Sequence, residues 1–507
     1  MKRALFSVTD KTDIVKLAQG FKNNGYEIIS TGGTLKAILD GGIEAKSVEE
    51  ITDFPEILDG RVKTLNPKIH GGILAKRDSK THIETLREMD ITKIDAVVCN
   101  LYDFEGALKS GKSDAEIIEN IDIGGPSMIR SAAKNFKDVL IITDHKDYDE
   151  VLKRLENDDF DYDFRQLLAM KAFSQTAYYD AMISRYFAKK VGEESDTLTI
   201  GLKEIQKLRY GENPHQKAKL YQDPMAEGLL SNYKQLHGKE LSFNNLNDLN
   251  IAIEMAAELK RQKFIGAVAL KHASPCGAGI GDNVFEAFEK AYKADPISIF
   301  GGIVATTDEI DEKTAKLMNE IFLEIVAAPK FSDEALEILK QKKNLRILIV
   351  DLDTDNIEDD FKFISGKVLR QDRDKDAKEE YNIVTKKSPS DAEKNDLLFG
   401  MIVCKFAKSN AIVIAKDGMT LGIGGGQTSR IWALQNIYHN NPDRDFKAAV
   451  LASDAFFPFD DCVKLAAKMG ISAIIQPGGS IRDKDSIDKC NEENIAMVFT
   501  NTRHFRH

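Results

Sequence analysis

A chain of 507 residues is too long for a single hydrophobic core and reads as two to four domains. With 42% hydrophobic and 30% charged residues it has the composition of a soluble globular protein, and no apolar run approaches the roughly 18–20 residues of a membrane span. A net charge of −11 without a local basic stripe argues against a nucleic-acid partner, and five scattered cysteines without a CxxC argue against a disulfide framework or zinc ribbon.

The N-terminal MKRALFSVTDKTD lacks an apolar h-region and a small-residue cleavage site, so it is not read as a signal peptide, and a reducing cytoplasm is the expected compartment. Ala4 to Val8 reads as a short strand. Ile14, Leu17, Ala18 and Phe21 then fall on one helical face, and Gly25 marks its stop. Tyr26 to Ile29 reads as a second strand, followed by Ser30-Thr31-Gly32-Gly33-Thr34 and another helix. Ile94 to Cys99 and Val139 to Ile142 are further buried strands, so the N-terminal part is expected to be a parallel sheet with helices on both faces.

The pattern lapses at AKKVGEESDT (188–197), which places a boundary near residue 192: a first domain over 1–192 and a larger α/β part over 193–507. Strand-like runs recur there at 265–270, 297–305, 345–350, 411–415, 448–452, 471–475 and 495–499. AVALKHASPCGAGIG (267–281) and AIVIAKDGMTLGIGGG (411–426) both pass from an apolar strand through a lysine into a glycine-rich turn, which reads as an internal duplication or as chance similarity among α/β strands.

Several motifs carry chemistry, each with a plainer alternative. Ser30 to Thr34 sits where a helix N-terminus offers unpaired N–H groups to an anion, or is a simple strand–helix turn. Arg61-Val62-Lys63-Thr64-Leu65-Asn66-Pro67-Lys68-Ile69-His70 is cation-rich for an acidic protein and reads as an oxyanion pocket or a solvated loop. In Ile121-Asp122-Ile123-Gly124-Gly125-Pro126, leading to Arg130 and Lys134, Asp122 handles a proton or a ribose hydroxyl, or only caps a helix. Arg209-Tyr210 could hold a phosphate and stack on a base. Gly422 to Gln427 fails the GxGxxG spacing of a dinucleotide site but leaves a glycine-rich turn near Arg430.

Lys271-His272-Ala273-Ser274-Pro275-Cys276-Gly277 combines a cation, an imidazole and a thiol. The zinc deaminase pattern of HxE and PCxxC is broken, because the glutamate and the second thiol are both missing. No activating base for Cys276 is visible in the sequence. The Lys-His pair is left: a neighbouring cation favours a neutral, proton-accepting His272, and Lys271 suits a developing oxyanion or a leaving nitrogen.

The ordered set FSVTDK, STGGT, GRVKTLNPKIHGGILA, CNLY, IDIGGPSMIRSAAKN, RYGENPHQ, KHASPCG, SIFGGIVA, SNAIVIAKDG, GIGGGQTSR, SDAFFPF, QPGGSIRD and TNTRHFRH closely resembles the bifunctional AICAR transformylase/IMP cyclohydrolase family of purine biosynthesis, across essentially the whole chain. AICAR is 5-aminoimidazole-4-carboxamide ribonucleotide. The resemblance implies formyl transfer from 10-formyltetrahydrofolate to AICAR by residues 193–507, and closure of formyl-AICAR to inosine monophosphate (IMP) with loss of water by residues 1–192. It implies a methylglyoxal-synthase-like doubly wound domain followed by two cytidine-deaminase-like α/β modules, and a homodimer with transformylase sites across its interface. It admits a potassium ion and no zinc.

The family's cyclohydrolase pattern falls on Ser7, Lys11, Gly33, Thr34, Arg61, Thr64, Asn100 and Gly124 for substrate binding. Lys63, Tyr102, Asp122 and Lys134 take the catalytic roles. The transformylase pattern falls on Lys271 and His272 for catalysis, with Arg209, Tyr210, Asn245, Phe300, Gly301, Asn410, Arg430, Phe457 and Arg503 for binding. Asp103, Ala273, Ser274 and Glu324 depart from the commoner family residues. A rival reading, a non-catalytic sensor of phosphorylated ligands, rests on the N-terminal fold alone.

Overall fold

A computed structural model describes residues 1–193, 195–375 and 381–507. It divides into two compact units, one of residues 1–203 with 223–225 and one of 204–222 with 226–507. No helix among the described residues is long and apolar enough to cross a membrane.

In the first unit, strands β1 (Lys2–Ser7), β2 (Tyr26–Ser30), β3 (Lys46–Ser47), β4 (Ala96–Cys99) and β5 (Leu140–Ile142) form a parallel sheet in the order β3-β2-β1-β4-β5. The order reverses between β1 and β4, and in open α/β sheets ligands bind beyond the strand C-termini at such a switch point. Helix α1 (Ile14–Asn23) buries Ile14, Leu17, Ala18 and Phe21 against this sheet, the face expected from their spacing. Helix α2 (Gly32–Asp40) starts directly beyond β2, α3 (Pro67–Leu74) follows the cation-rich loop, and α4 (Gly124–Lys134) follows Asp122. The 30-residue helix α5 (Tyr162–Val191) is capped by Asp161, which accepts from Phe164 N, and closed by Gly192 at φ 71°. The polar stretch expected to lie in a linker therefore begins as helix.

The second unit is built on a twelve-stranded mixed sheet. Its first half contains β6 (Lys234–His237), α6 (Phe243–Arg261), β7 (Ile265–Lys271), β8 (Ser274–Gly281), α7 (Val284–Ala294), β9 (Gly302–Thr306), α8 (Glu312–Asn319), β10 (Leu323–Ala328), α9 (Asp333–Leu339) and β11 (Arg346–Ile349). The second half repeats the series as β12 (Asn382–Ile383), α10 (Asp391–Phe406), β13 (Ile412–Lys416), β14 (Met419–Gly424), α11 (Arg430–Asn440), β15 (Val450–Ser453), α12 (Asp461–Met469), β16 (Ala473–Gln476), α13 (Asp483–Glu492) and β17 (Ala496–Phe499). The sheet order β12-β17-β16-β15-β13-β14-β8-β7-β9-β10-β11-β6 reads the same from either end, with matching parallel and antiparallel pairings. The duplication suspected from two strand–lysine–glycine runs is thus a structural one, with its pseudo-dyad at the β8–β14 pair.

Strand alternation sorts the core. Val268, Leu270, Val413 and Ala415 join α6 and α10 on one face. Ala267 and Ala269 pack with Phe288 on the other face of the first half, and Ile412 and Ile414 with Leu434 on that of the second. Both faces being covered, the strands read as continuous apolar runs.

Of the glycine-rich stretches expected to be ligand-approaching turns, Ser274–Gly281 and Met419–Gly424 are strands, and only Gly425 to Gln427 lie in a turn, with Gly426 at φ 67°. A Cβ on Gly277 or Gly279 would lie 2.3 Å from Ala291 O or Ala287 O of α7, and one on Gly424 would lie 2.3 Å from Ala433 O of α11. These glycines let a helix backbone approach the sheet.

Candidate active sites

At the switch point of the first unit the loops after β1, β2 and β4 enclose a cleft of about 570 Å³. Thr34 Oγ1 donates to Val8 O at 2.9 Å and accepts from Val8 N at 3.0 Å, tying the start of α2 to the end of β1. Asn100 Oδ1 accepts from Thr9 N at 2.6 Å and its Nδ2 donates to Asp10 O at 2.9 Å, tying β4 to the same loop. Ser7 and Thr31 share a hydroxyl hydrogen bond of 3.1 Å. A Cβ on Gly32 would meet Lys63 Nζ at 3.6 Å, and one on Gly33 would meet Lys11 Nζ at 3.7 Å. Two ammonium groups therefore stand over the N-terminus of α2, whose first N–H groups have no helical partner. This combination suits a phosphate dianion.

Two basic residues of the lining are paired with acids: Lys63 Nζ with Glu56 at 3.1 Å, and Arg61, whose guanidinium forks onto Glu119. Asp122 Oδ1 accepts from Gly125 N at 2.8 Å. Burial raises the Asp122 carboxyl above its ordinary range, against the lowering effect of backbone N–H groups of Gly125, Tyr102 and Gly124 and of the Lys63 charge. Its backbone N donates to Tyr179 OH at 2.8 Å, which fixes the loop to α5.

Eleven of the nominated residues line this cleft: Ser7, Lys11, Gly33, Thr34, Arg61, Lys63, Thr64, Asn100, Tyr102, Asp122 and Gly124. Lys134 does not. It sits in the last turn of α4, about 15 Å along the helix from Gly124, and lines a separate depression with Arg130 and Phe173. The departure at Asp103 has a local reason: its carboxylate accepts from Gly106 N at 2.8 Å and caps the following helix.

In the second unit the strand directions bring the C-terminal ends of β7, β14 and β15 and the starts of β9, β10 and β13 to one rim of the sheet. His272 occupies the β7–β8 turn there and is exposed. Lys271 Nζ donates to Phe300 O at 2.9 Å, and Gly301, at φ 72°, donates to Phe322 O at 2.7 Å. Phe300 is exposed, 5.2 Å ring to ring from Phe322. Asn245, at the start of α6, donates to Glu324 Oε2 at 2.9 Å, and Arg346 stands 3.8 Å from the same carboxylate. Arg209 donates to Tyr210 OH at 3.0 Å and stacks over its ring at 4.7 Å. Glu324 stood out in the sequence only as a departure from the family residue and Arg346 by no motif at all, and the β10–β11 pairing brings them together.

Four nominations of the second half are placed differently. Arg430 is buried, and its guanidinium donates to Asp454 Oδ1 at 2.7 Å, Asn410 Oδ1 at 2.9 Å and Phe456 O at 3.1 Å, so this fork is engaged within the fold, as is the Asn410 side chain. Phe457 is 0% exposed among Ile412, Leu434 and Val463, a core residue. Arg503 is exposed on the C-terminal tail, stacked over Phe505 at 4.3 Å. Asn410 stands at the start of β13, three strands from β7, or about 14 Å across the rim. Cys276 points its thiol at Ala269 O, 3.4 Å away, and burial pushes it up to about 12, the state of a structural cysteine rather than a nucleophile. Among the described residues no three His, Cys, Asp or Glu side chains stand together as a metal-holding group.

The family model described as AICARFT/IMPCHase bienzyme matches residues 132–439, and the MGS-like domain model matches residues 13–127. Proteins named "Bifunctional purine biosynthesis protein PurH" are similar over 100% of both chains: 57% identical in Clostridioides difficile, 52% in Oceanobacillus iheyensis and 51% in Caldicellulosiruptor saccharolyticus. The crystal structure of ForH matches 37% of this chain and 97% of its own at 35% identity, with a TM-score of 0.34.

Proposed function

The chain belongs to the AICARFT/IMPCHase bienzyme family, carrying both formyl transfer to AICAR and closure of formyl-AICAR to IMP, and from that premise we propose that each compact unit holds one of the two reactions. The first unit closes the ring, and the second transfers the formyl group from 10-formyltetrahydrofolate. The observation that carries this reading is the convergence of Lys11, Lys63, Asp122 and the α2 N-terminus in one cleft.

In ring closure the carboxamide nitrogen attacks the formyl carbon, a C–N bond forms, and water leaves. Lys11 and the free N–H groups of α2 take the phosphate. Lys63 releases Glu56 and stabilises the oxyanion on the former formyl oxygen. Asp122, with its raised proton affinity, accepts the carboxamide nitrogen's proton and passes it to the oxyanion, and the formamide N–H gives up the second proton as the C–O bond breaks, the ring C=N bond forms and water leaves.

In formyl transfer the 5-amine of AICAR is a weak nucleophile, because its lone pair is delocalised toward the carboxamide. Orientation against the formyl carbon supplies much of the rate. His272 removes the amine's proton, and Lys271 protonates the folate nitrogen as the C–N bond to it breaks. Arg209 and Arg503 hold the phosphate. We further propose a homodimer that completes this site across its interface. Its support is the spread of the nominated residues along the rim within one chain, and sedimentation at the monomer mass would reject it.

Lys11 gives the test of the first assignment. Lys11→Ala is expected to weaken IMP binding by calorimetry about 10- to 100-fold, as for loss of one charge-assisted hydrogen bond, and to leave formyl transfer unchanged. Unaltered IMP affinity would place the phosphate elsewhere.

A further inference from the structure

The two halves of the second unit share a device at their central hairpins. β7 and β8 are joined by His272-Ala273, at φ 53° and 54°, and β13 and β14 by Asp417-Gly418, at φ 52° and 72°. Positive φ at both central residues is the type I′ hairpin turn. In each half an aspartate, the sixth residue of the preceding long helix, grips the turn. Asp248 Oδ2 accepts from His272 N at 3.1 Å and its Oδ1 from Ala273 N at 2.8 Å. Asp396 accepts from Asp417 N and Gly418 N, both at 2.8 Å. The lysine before each turn is also held alike, Lys271 on Phe300 O and Lys416 on Lys447 O, each at 2.9 Å.

The two turns differ in what they require of the clamp. Asp-Gly adopts the I′ conformation by its own preference. His-Ala does not: a residue with a Cβ is disfavoured in the left-handed region, and two such residues follow one another here. In the second half the aspartate reinforces a turn that would form anyway. In the first half it decides the turn.

We propose that Asp248 is a positioning residue for formyl transfer, its carboxylate holding the His272 backbone in the left-handed turn that sets the imidazole on the rim. The inference rests on the reading of His272 as the base. No ligand contact is assigned to Asp248.

The duplicated device supplies its own control. In Asp248→Asn the amide nitrogen would face a backbone N–H, donor against donor, so one of the two hydrogen bonds is lost. Steady-state formyl transfer by the full chain should show kcat reduced at least about tenfold, within the roughly 100-fold that a 1 Å misplacement costs, with KM for AICAR and for the formyl-folate within about threefold. Asp396→Asn, the same change at the Asp-Gly turn, should keep kcat within about twofold. If Asp248→Asn fails to fold, Asp248→Glu, which keeps the charge and displaces it by one methylene, takes its place with the same expectation. Wild-type kcat in a folded Asp248 variant, or equal losses in the Asp248 and Asp396 variants, would overturn the proposal. His272→Ala in the same assay separates the premise from the inference: an active His272→Ala removes the base assignment itself, whereas an inactive one beside a fully active Asp248 variant removes only the positioning role.

Discussion

His272→Ala is expected to abolish formyl transfer while closing the ring of supplied formyl-AICAR at nearly the wild-type rate. The imidazole sits on an exposed turn in the second unit, and the cleft that holds Lys63 and Asp122 belongs to the first. Removing a general base costs about 100- to 10,000-fold. An exposed side chain on a rim carries little packing, so the loss should come without a change in thermal stability. Cys276 is the built-in contrast: its half-buried thiol is held protonated, so the chemistry of this turn has one candidate base. Equal loss of both activities in folded His272→Ala would contradict the assignment.

Lys63→Ala is expected to give the mirror image, crippled ring closure with formyl transfer intact. The ammonium stands over Gly32 at the start of α2 and is held by Glu56, in reach of the cleft that Asp122 also lines. One well-placed donor to a developing oxyanion is worth roughly 3–4 kcal/mol, or about 100- to 1,000-fold in rate. Lys63→Arg should restore little, because a planar guanidinium does not replace a compact point charge, least of all beside Gly60, where even a Cβ would lie 2.9 Å from Lys63 Cε. The measurement must start from formyl-AICAR, since formyl transfer is reversible and would blur a one-pot assay. Wild-type closure by Lys63→Ala would move the catalytic role to Asp122 and the backbone donors near Gly124.

How much of this was legible beforehand follows from where the information lies. Apolar runs buried on both faces announce themselves, and the strands at 26–30, 96–99 and 412–416 fall where the sequence puts them. Strands β8 and β14 were hidden by their glycines, which serve helix packing and imitate a ligand loop. Strand β10 (LEIVAA) follows a helix with no Gly or Pro between them, so nothing in the sequence marks its start. The cleft of the first unit was accessible because its parts lie directly after strands, in short cation- and glycine-rich stretches. Lys134 was grouped with Asp122 through the family pattern, and only the length of α4 separates them. Arg430 looked like a ligand cation because its partner Asp454 lies 24 residues away, across a strand pairing no spacing rule anticipates. Asp248 carried no signal at all in the polar run NNLND. Its role appears only when Asp396 is seen to make the same grip on the other half.

The central claim is that one chain carries two independent sites, one in each compact unit. Its most direct test is an equimolar mixture of His272→Ala and Lys63→Ala proteins, given AICAR and 10-formyltetrahydrofolate and followed for IMP. Each variant alone should produce almost none. The mixture should produce IMP at a substantial fraction of the wild-type rate, because formyl-AICAR released by the Lys63 variant is closed by the His272 variant. A mixture no more active than either variant by itself would contradict the account.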